Sequence, residues 1–92
     1  MQLSDKEIAE ALQAGNENVF EQMFRLHYQR LCNYAAGILN DMDDAEEVVQ
    51  QMFLNVWEKR MTMEISVSFK SYLYRAVHNA CLNKLKQKKI SE

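Results

Sequence analysis

Across its 92 residues the chain contains no proline and only two glycines, Gly15 and Gly37. An all-β fold needs a tight turn every few residues, and tight turns draw heavily on those two residue types. A chain that nearly lacks them has few turns and long uninterrupted elements, which favours helices. The length fits one small domain with a limited but sufficient core. A hydrophobic content of 48% with 26% charged residues argues against disorder.

Ser4-Asp5-Lys6-Glu7 has the form of a capping box, so a short helix should begin there and end near Gly15. Its apolar edge is narrow: Ile8, Ala11 and Leu12. Asn16 or Asn18 can cap a second helix. Phe20, Met23, Phe24, Leu31, Tyr34, Ala35, Ile38 and Leu39 recur along it with helical spacing. Asn40 to Asp43 then form a polar turn. A third helix starts at Asp43 or Asp44, with Ala45, Val48, Val49, Met52, Phe53, Val56 and Trp57 as its stripe. Acids crowd its first turn and Lys59 and Arg60 close it, the signs the helix dipole prefers. Met61 to Val67 breaks the pattern and reads as a loop. Ser66 or Ser68 caps a fourth helix, with Phe69, Tyr72, Leu73, Ala76, Val77, Ala80 and Leu85 on one side. The expected fold is all-α: a compact bundle of three long helices with a short N-terminal helix packed across it. Phe20, Phe24, Phe53 and Trp57 read as core.

The net charge of −2 conceals a division. Up to Val67, five Lys/Arg face twelve Asp/Glu, whereas from Ser68 onward six face one. The segment SFKSYLYRAVHNACLN and the KLKQKK that follows it interleave cations with Tyr, His and Asn. That mixture suits nucleic acid, because cations meet phosphates while rings and amides meet exposed bases.

Other functions fit less well. No apolar run approaches the ~18–20 residues of a membrane span, and the start lacks the basic, apolar pattern of a signal peptide. A cytoplasmic protein is expected. Cys32 and Cys81 read as free thiols. A zinc site from His27, Cys32, His78 and Cys81 is disfavoured, because His27 and Cys32 stand about 140° apart on a helix. Asp41, Asp43, Asp44, Glu46 and Glu47 lack the turn glycine of a calcium loop and suit helix capping. With no phosphate loop, HExxH or nucleophile beside a base, neither an enzyme nor a cofactor is expected.

Three segments, taken in order, resemble a known family. FEQMFRLHYQRLCNYA is similar to the opening helix F-x-x-x-(F/Y)-x-x-(Y/H)-x-x-(L/V) of region 2 in bacterial sigma factors of the extracytoplasmic-function (ECF) type, within the sigma-70 family. DAEEVVQQMFLNVWEKR resembles D-A-E-(D/E)-x-x-Q-(E/D)-x-F-x-x-(V/L)-W, and SFKSYLYRAVHNACLN resembles S-(F/L)-x-x-(W/Y)-L-x-x-(I/A)-x-x-N. The likeness runs from about Asn18 to Lys88. Gln51 departs from the pattern where an acid is common, and His78 and Ala80 where bases are frequent. Nothing in the chain resembles region 4, the second helical domain that reads the −35 element. The expectation is thus one region 2 domain over residues 1–92.

The resemblance implies a promoter-recognition subunit domain that binds core RNA polymerase and recognises and melts the −10 element. Glu46, Glu47, Gln50, Gln51 and Leu54 would dock on the clamp helices of the largest subunit. Asn79 would line a pocket for an extruded base of the non-template strand, with Met63 opposite in the 61–68 loop. Lys70, Arg75, His78, Lys84 and Lys86 would follow the DNA backbone. An anti-sigma factor is a further implied partner. The competing reading is a helical protein-interaction domain, of anti-sigma or adaptor type, without DNA binding. An acidic surface around the fourth helix would favour that alternative.

Overall fold

The computed structural model describes residues 3–64 and 68–91. Helix α1 spans Asp5–Gln13, α2 Glu17–Leu39, α3 Met42–Glu58 and α4 Phe69–Ser91, with a single 3₁₀ turn at Arg60–Thr62. No strand occurs among the described residues. At about 1.5 Å per residue, the two 23-residue helices α2 and α4 span most of the longest molecular dimension, 44 Å.

Local chemistry sets the boundaries. The Ser4–Glu7 capping box forms in both directions. The Ser4 hydrogen bonds also hold the exposed Glu7 carboxyl below its usual pKa. Gly15, at φ +79°, ends α1 in a left-handed turn, where a Cβ would be strained. The Asn16 N–H reaches the Ala11 carbonyl at 2.9 Å and the Gly15 N–H that of Leu12 at 3.0 Å, the two bonds of a Schellman motif. Asn16 then caps α2, its Oδ1 accepting from the Val19 N–H at 3.1 Å. The turn after α2 is tighter than the expected four residues. Asn40 takes φ 55°, which Asn tolerates better than most residues, and Asp41 caps α3 by accepting from the Asp44 N–H. Ser68 starts α4 by accepting from the Ser71 N–H at 3.0 Å. Asp5 of α1 adds a bond that sequence spacing does not reveal, accepting from the Phe69 N–H at 2.8 Å.

Helices α2 and α3 pack antiparallel. Phe20 meets Trp57 with ring centroids 4.9 Å apart, Phe24 meets Phe53 at 4.9 Å, and Tyr28 accepts a hydrogen bond from Gln50. Helix α4 runs parallel to α2, with Phe69 near His27 and Tyr74 against Tyr34. Its Phe69, Leu73, Val77 and Cys81 are almost fully buried. All the expected α3 stripe is buried except Trp57, which is partly buried at the core edge. There the Arg60 guanidinium lies 4.2 Å from the ring centroid and donates to the Trp57 carbonyl. Phe20 and Phe24 are likewise partly buried. Tyr34 and Leu85, expected on buried stripes, are each 38% exposed. Both thiols are free and buried, and burial raises their pKa values.

Candidate functional site

Helix α3 turns its apolar stripe inward, which leaves Glu46, Glu47, Gln50, Gln51 and Leu54 exposed. Leu54 is 56% exposed, a large apolar side chain standing among acids and amides. The five residues divide between two lines. Glu46, Gln50 and Leu54 follow one another at i, i+4 and i+8 on the side where Gln50 meets Tyr28 of α2. Glu47 and Gln51 instead border a groove of about 560 Å³ between α3 and α4, whose far wall is Tyr72, Ala76, Ala80 and Asn83.

Helix α4 leaves Arg75, Asn79, Leu82 and Lys86 exposed. Their spacing of four, three and four residues aligns them on one helical face. Lys70 and His78 are exposed as well. Lys70 is on the α2 side, where its charge and that of Arg30, after burial, hold the His27 imidazole pKa below its ordinary value. His78 shares a 3.0 Å hydrogen bond with the Tyr34 hydroxyl through Nδ1.

Two of the expected DNA contacts are placed differently. Met63 is 7% exposed and belongs to the core, while its backbone carbonyl accepts from the Gln13 side chain. Burial of an apolar thioether is favourable, which accounts for its inward placement. Lys84 lies over the start of α3, with its Nζ 3.3 Å from Glu47 and 3.8 Å from Asp44. Lys88, one turn later, also pairs with Asp44. Lys84 and Lys88 thus form a helical clasp on the start of α3. The hydrogen bond from Lys88, more than any other influence, lowers the Asp44 pKa.

The base pocket expected between the 61–68 loop and Asn79 is partly outside the described residues, because residues 65–67 are not among them. Asn79 is exposed and lines neither the α3–α4 groove nor the smaller one between Leu3, Leu26 and Phe69. No group of three or more metal-ligating side chains occurs among the described residues. None of the described helices is long and apolar enough to cross a membrane.

Residues 23–90 match the Sigma-70 region 2 family. The ECF RNA polymerase sigma factor SigM of Mycobacterium tuberculosis strain H37Rv is 31% identical over 86 residues, covering 94% of this chain and 44% of that protein. The ECF RNA polymerase sigma factor SigW of Bacillus subtilis strain 168 is 19% identical over 89 residues, covering 97% of this chain and 48% of that protein. The chain spans about half the length of the curated relatives it matches. An NMR structure of an engineered region 2 of sigmaE in complex with GTAAAA superimposes with a TM-score of 0.80. It is 23% identical, with 96% of this chain and 92% of that chain covered, a likeness of fold.

Proposed function

This chain belongs to the Sigma-70 region 2 family, and from that premise we propose that it docks on core RNA polymerase through α3 and holds the melted −10 strand on α4. The observation that carries the reading is the separation of the two faces. The outward side of α3 presents Glu46, Gln50 and Leu54, with no Lys or Arg between Asn40 and Glu58. The outward side of α4 presents Arg75, Asn79 and Lys86, with no acid from Ser68 to Ser91. Opposite chemistry on different faces lets one small domain bridge a basic protein helix and a nucleic-acid strand. The mechanism is binding, not bond chemistry: holding the separated strand shifts the promoter toward its open form. Asn79 supplies an amide for a base edge, while Arg75 and Lys86 neutralise phosphates. Lys84, paired with α3, has a lesser part in that track. An anti-sigma factor would act by covering either face.

Calorimetry against a fragment carrying the clamp helices tests the docking face. Leu54→Ala and Glu46→Ala should each leave the melting temperature nearly unchanged, as exposed substitutions do. Each should weaken binding roughly tenfold, about 1.4 kcal/mol. Unchanged affinity in both variants would move the docking face off α3.

A further inference from the structure

Tyr28 of α2 stands between the core and the exposed line of α3. Its ring stacks on Phe24, with centroids 4.8 Å apart and planes at 25°. Phe24 packs in turn against the buried Phe53, at 4.9 Å. Rings wedged this way hold the Tyr28 hydroxyl at one place. On its inner side the hydroxyl meets the buried Cys32 thiol, one turn along α2. Burial raises the Cys32 pKa, the hydrogen bond from Tyr28 partly offsets this, and the Glu46 charge raises it again. On its outer side the hydroxyl accepts from Gln50 Nε2 at 3.0 Å, across 22 positions of sequence.

The outer bond decides what Gln50 shows to a partner. A primary amide has two donor hydrogens and one acceptor oxygen. With its nitrogen turned to Tyr28, the oxygen Oε1 is left for a partner. The Glu46 carboxylate, one turn back on the same side, offers only acceptors. Leu54, one turn on and 56% exposed, supplies apolar surface beyond them. The line therefore reads acceptor, acceptor, apolar. That order suits a cationic side chain with an aliphatic stem, whose donors meet Glu46 and Gln50 while the stem lies on Leu54. Without the tyrosine, an exposed Gln samples several rotamers and both ends of its amide, and ordering it on binding weakens the complex.

We propose that Tyr28 is a positioning residue of the docking face: its hydroxyl holds the Gln50 amide with Oε1 outward, and so favours a cationic, hydrogen-bond-donating side chain on the partner. The proposal rests on the reading of α3 as the polymerase-docking face. It adds to that face a residue of another helix, one that acts through Gln50 and need not touch the partner. Neighbouring acceptors held in place also disfavour an acidic partner at this spot, since nothing there can turn a donor toward it.

The test is calorimetry of the 92-residue chain against the clamp-helix fragment, with Tyr28→Phe, Gln50→Ala and the double variant. Tyr28→Phe keeps the ring and its stacking and removes only the hydroxyl. It should weaken binding roughly threefold to tenfold, the effect of freeing one long side chain. In the Gln50→Ala background the same change should have no effect, the non-additivity of a residue that acts through another. A second readout needs no partner: the Gln50 side-chain amide resonances should shift in Tyr28→Phe, while circular dichroism stays that of the parent. If Tyr28→Phe binds like the parent while Glu46→Ala and Leu54→Ala weaken binding, this inference fails and the reading of α3 survives. Equal weakening by Tyr28→Phe with and without Gln50, or unmoved Gln50 resonances, would also overturn it, because the hydroxyl would then act elsewhere. If Glu46→Ala and Leu54→Ala both bind like the parent, the docking face is not on α3 and both fail.

Discussion

Phe53 and Trp57 stand one turn apart on α3, but only Phe53 is fully enclosed, at 2% exposed. Phe53→Ala should cost about 3–5 kcal/mol, the range for emptying an aromatic site in a core. Trp57→Ala removes a ring at the edge, with one aromatic neighbour and one guanidinium, and should cost about 1–3 kcal/mol. Urea denaturation of both variants checks the order, which reverses if the Trp57 edge is the better packed. His27 gives a second expectation. Burial, then Lys70 and Arg30, lower its pKa in the fold from 6.5. The unfolded chain therefore binds the proton first, and stability is fully present above that value. It is lost as pH falls through the lower folded value. Melting temperature should decline as pH falls below about 6.5, and His27→Gln should flatten the decline. An unchanged profile in the variant would assign the pH dependence to another group.

At the scale of elements, the helices were legible because each carries its own start signal and stripe. Ser4, Asn16 and Asp41 cap where their side chains allow, and the α3 stripe is buried almost as its spacing demands. Periodicity could not rank burial within a stripe. Tyr34 and Leu85 lie on the right side of their helices but near the edge, where the bundle leaves them to solvent. Nor could spacing along one helix reveal what lies opposite. The placement of Met63 in the core, the Asp5 bond to the start of α4 and the Lys84–Lys88 clasp on α3 all join residues distant in sequence. The clasp has its own test. The Asp44 pKa is lowered from 3.8, so the clasp stabilises above that value and is lost as pH falls through the lower folded value. Lys84→Ala should lower the melting temperature at low salt and neutral pH, and the difference should vanish at about 1 M salt, where the Debye length is about 3 Å. A difference that persists there would indicate packing of the lysine stem instead.

For the whole molecule, the decisive feature is that the fold sorts charge by face. The sequence placed the candidate DNA contacts on α4 from the motif alone. Their partition among the open face, the α2 seam and the α3 clasp required the packing. The buried thiols report on the same compactness: Cys32 and Cys81 are 1% and 0% exposed, and burial favours their protonated forms. Neither should react with iodoacetamide at neutral pH until the chain unfolds, and mass spectrometry of labelled protein checks this. Rapid labelling in the fold would mean that the helical core opens readily.

The central claim, two partners on two faces, is tested most directly by NMR shift mapping of the ¹⁵N-labelled chain against a clamp-helix fragment and a single-stranded −10 oligonucleotide, separately and then together. The account predicts that the fragment moves amides of α3 around Glu46 to Leu54, that the DNA moves those of α4 around Lys70 to Asn79, and that both bind at once. Shifts from both partners on the same helix face, or displacement of one by the other, would contradict it.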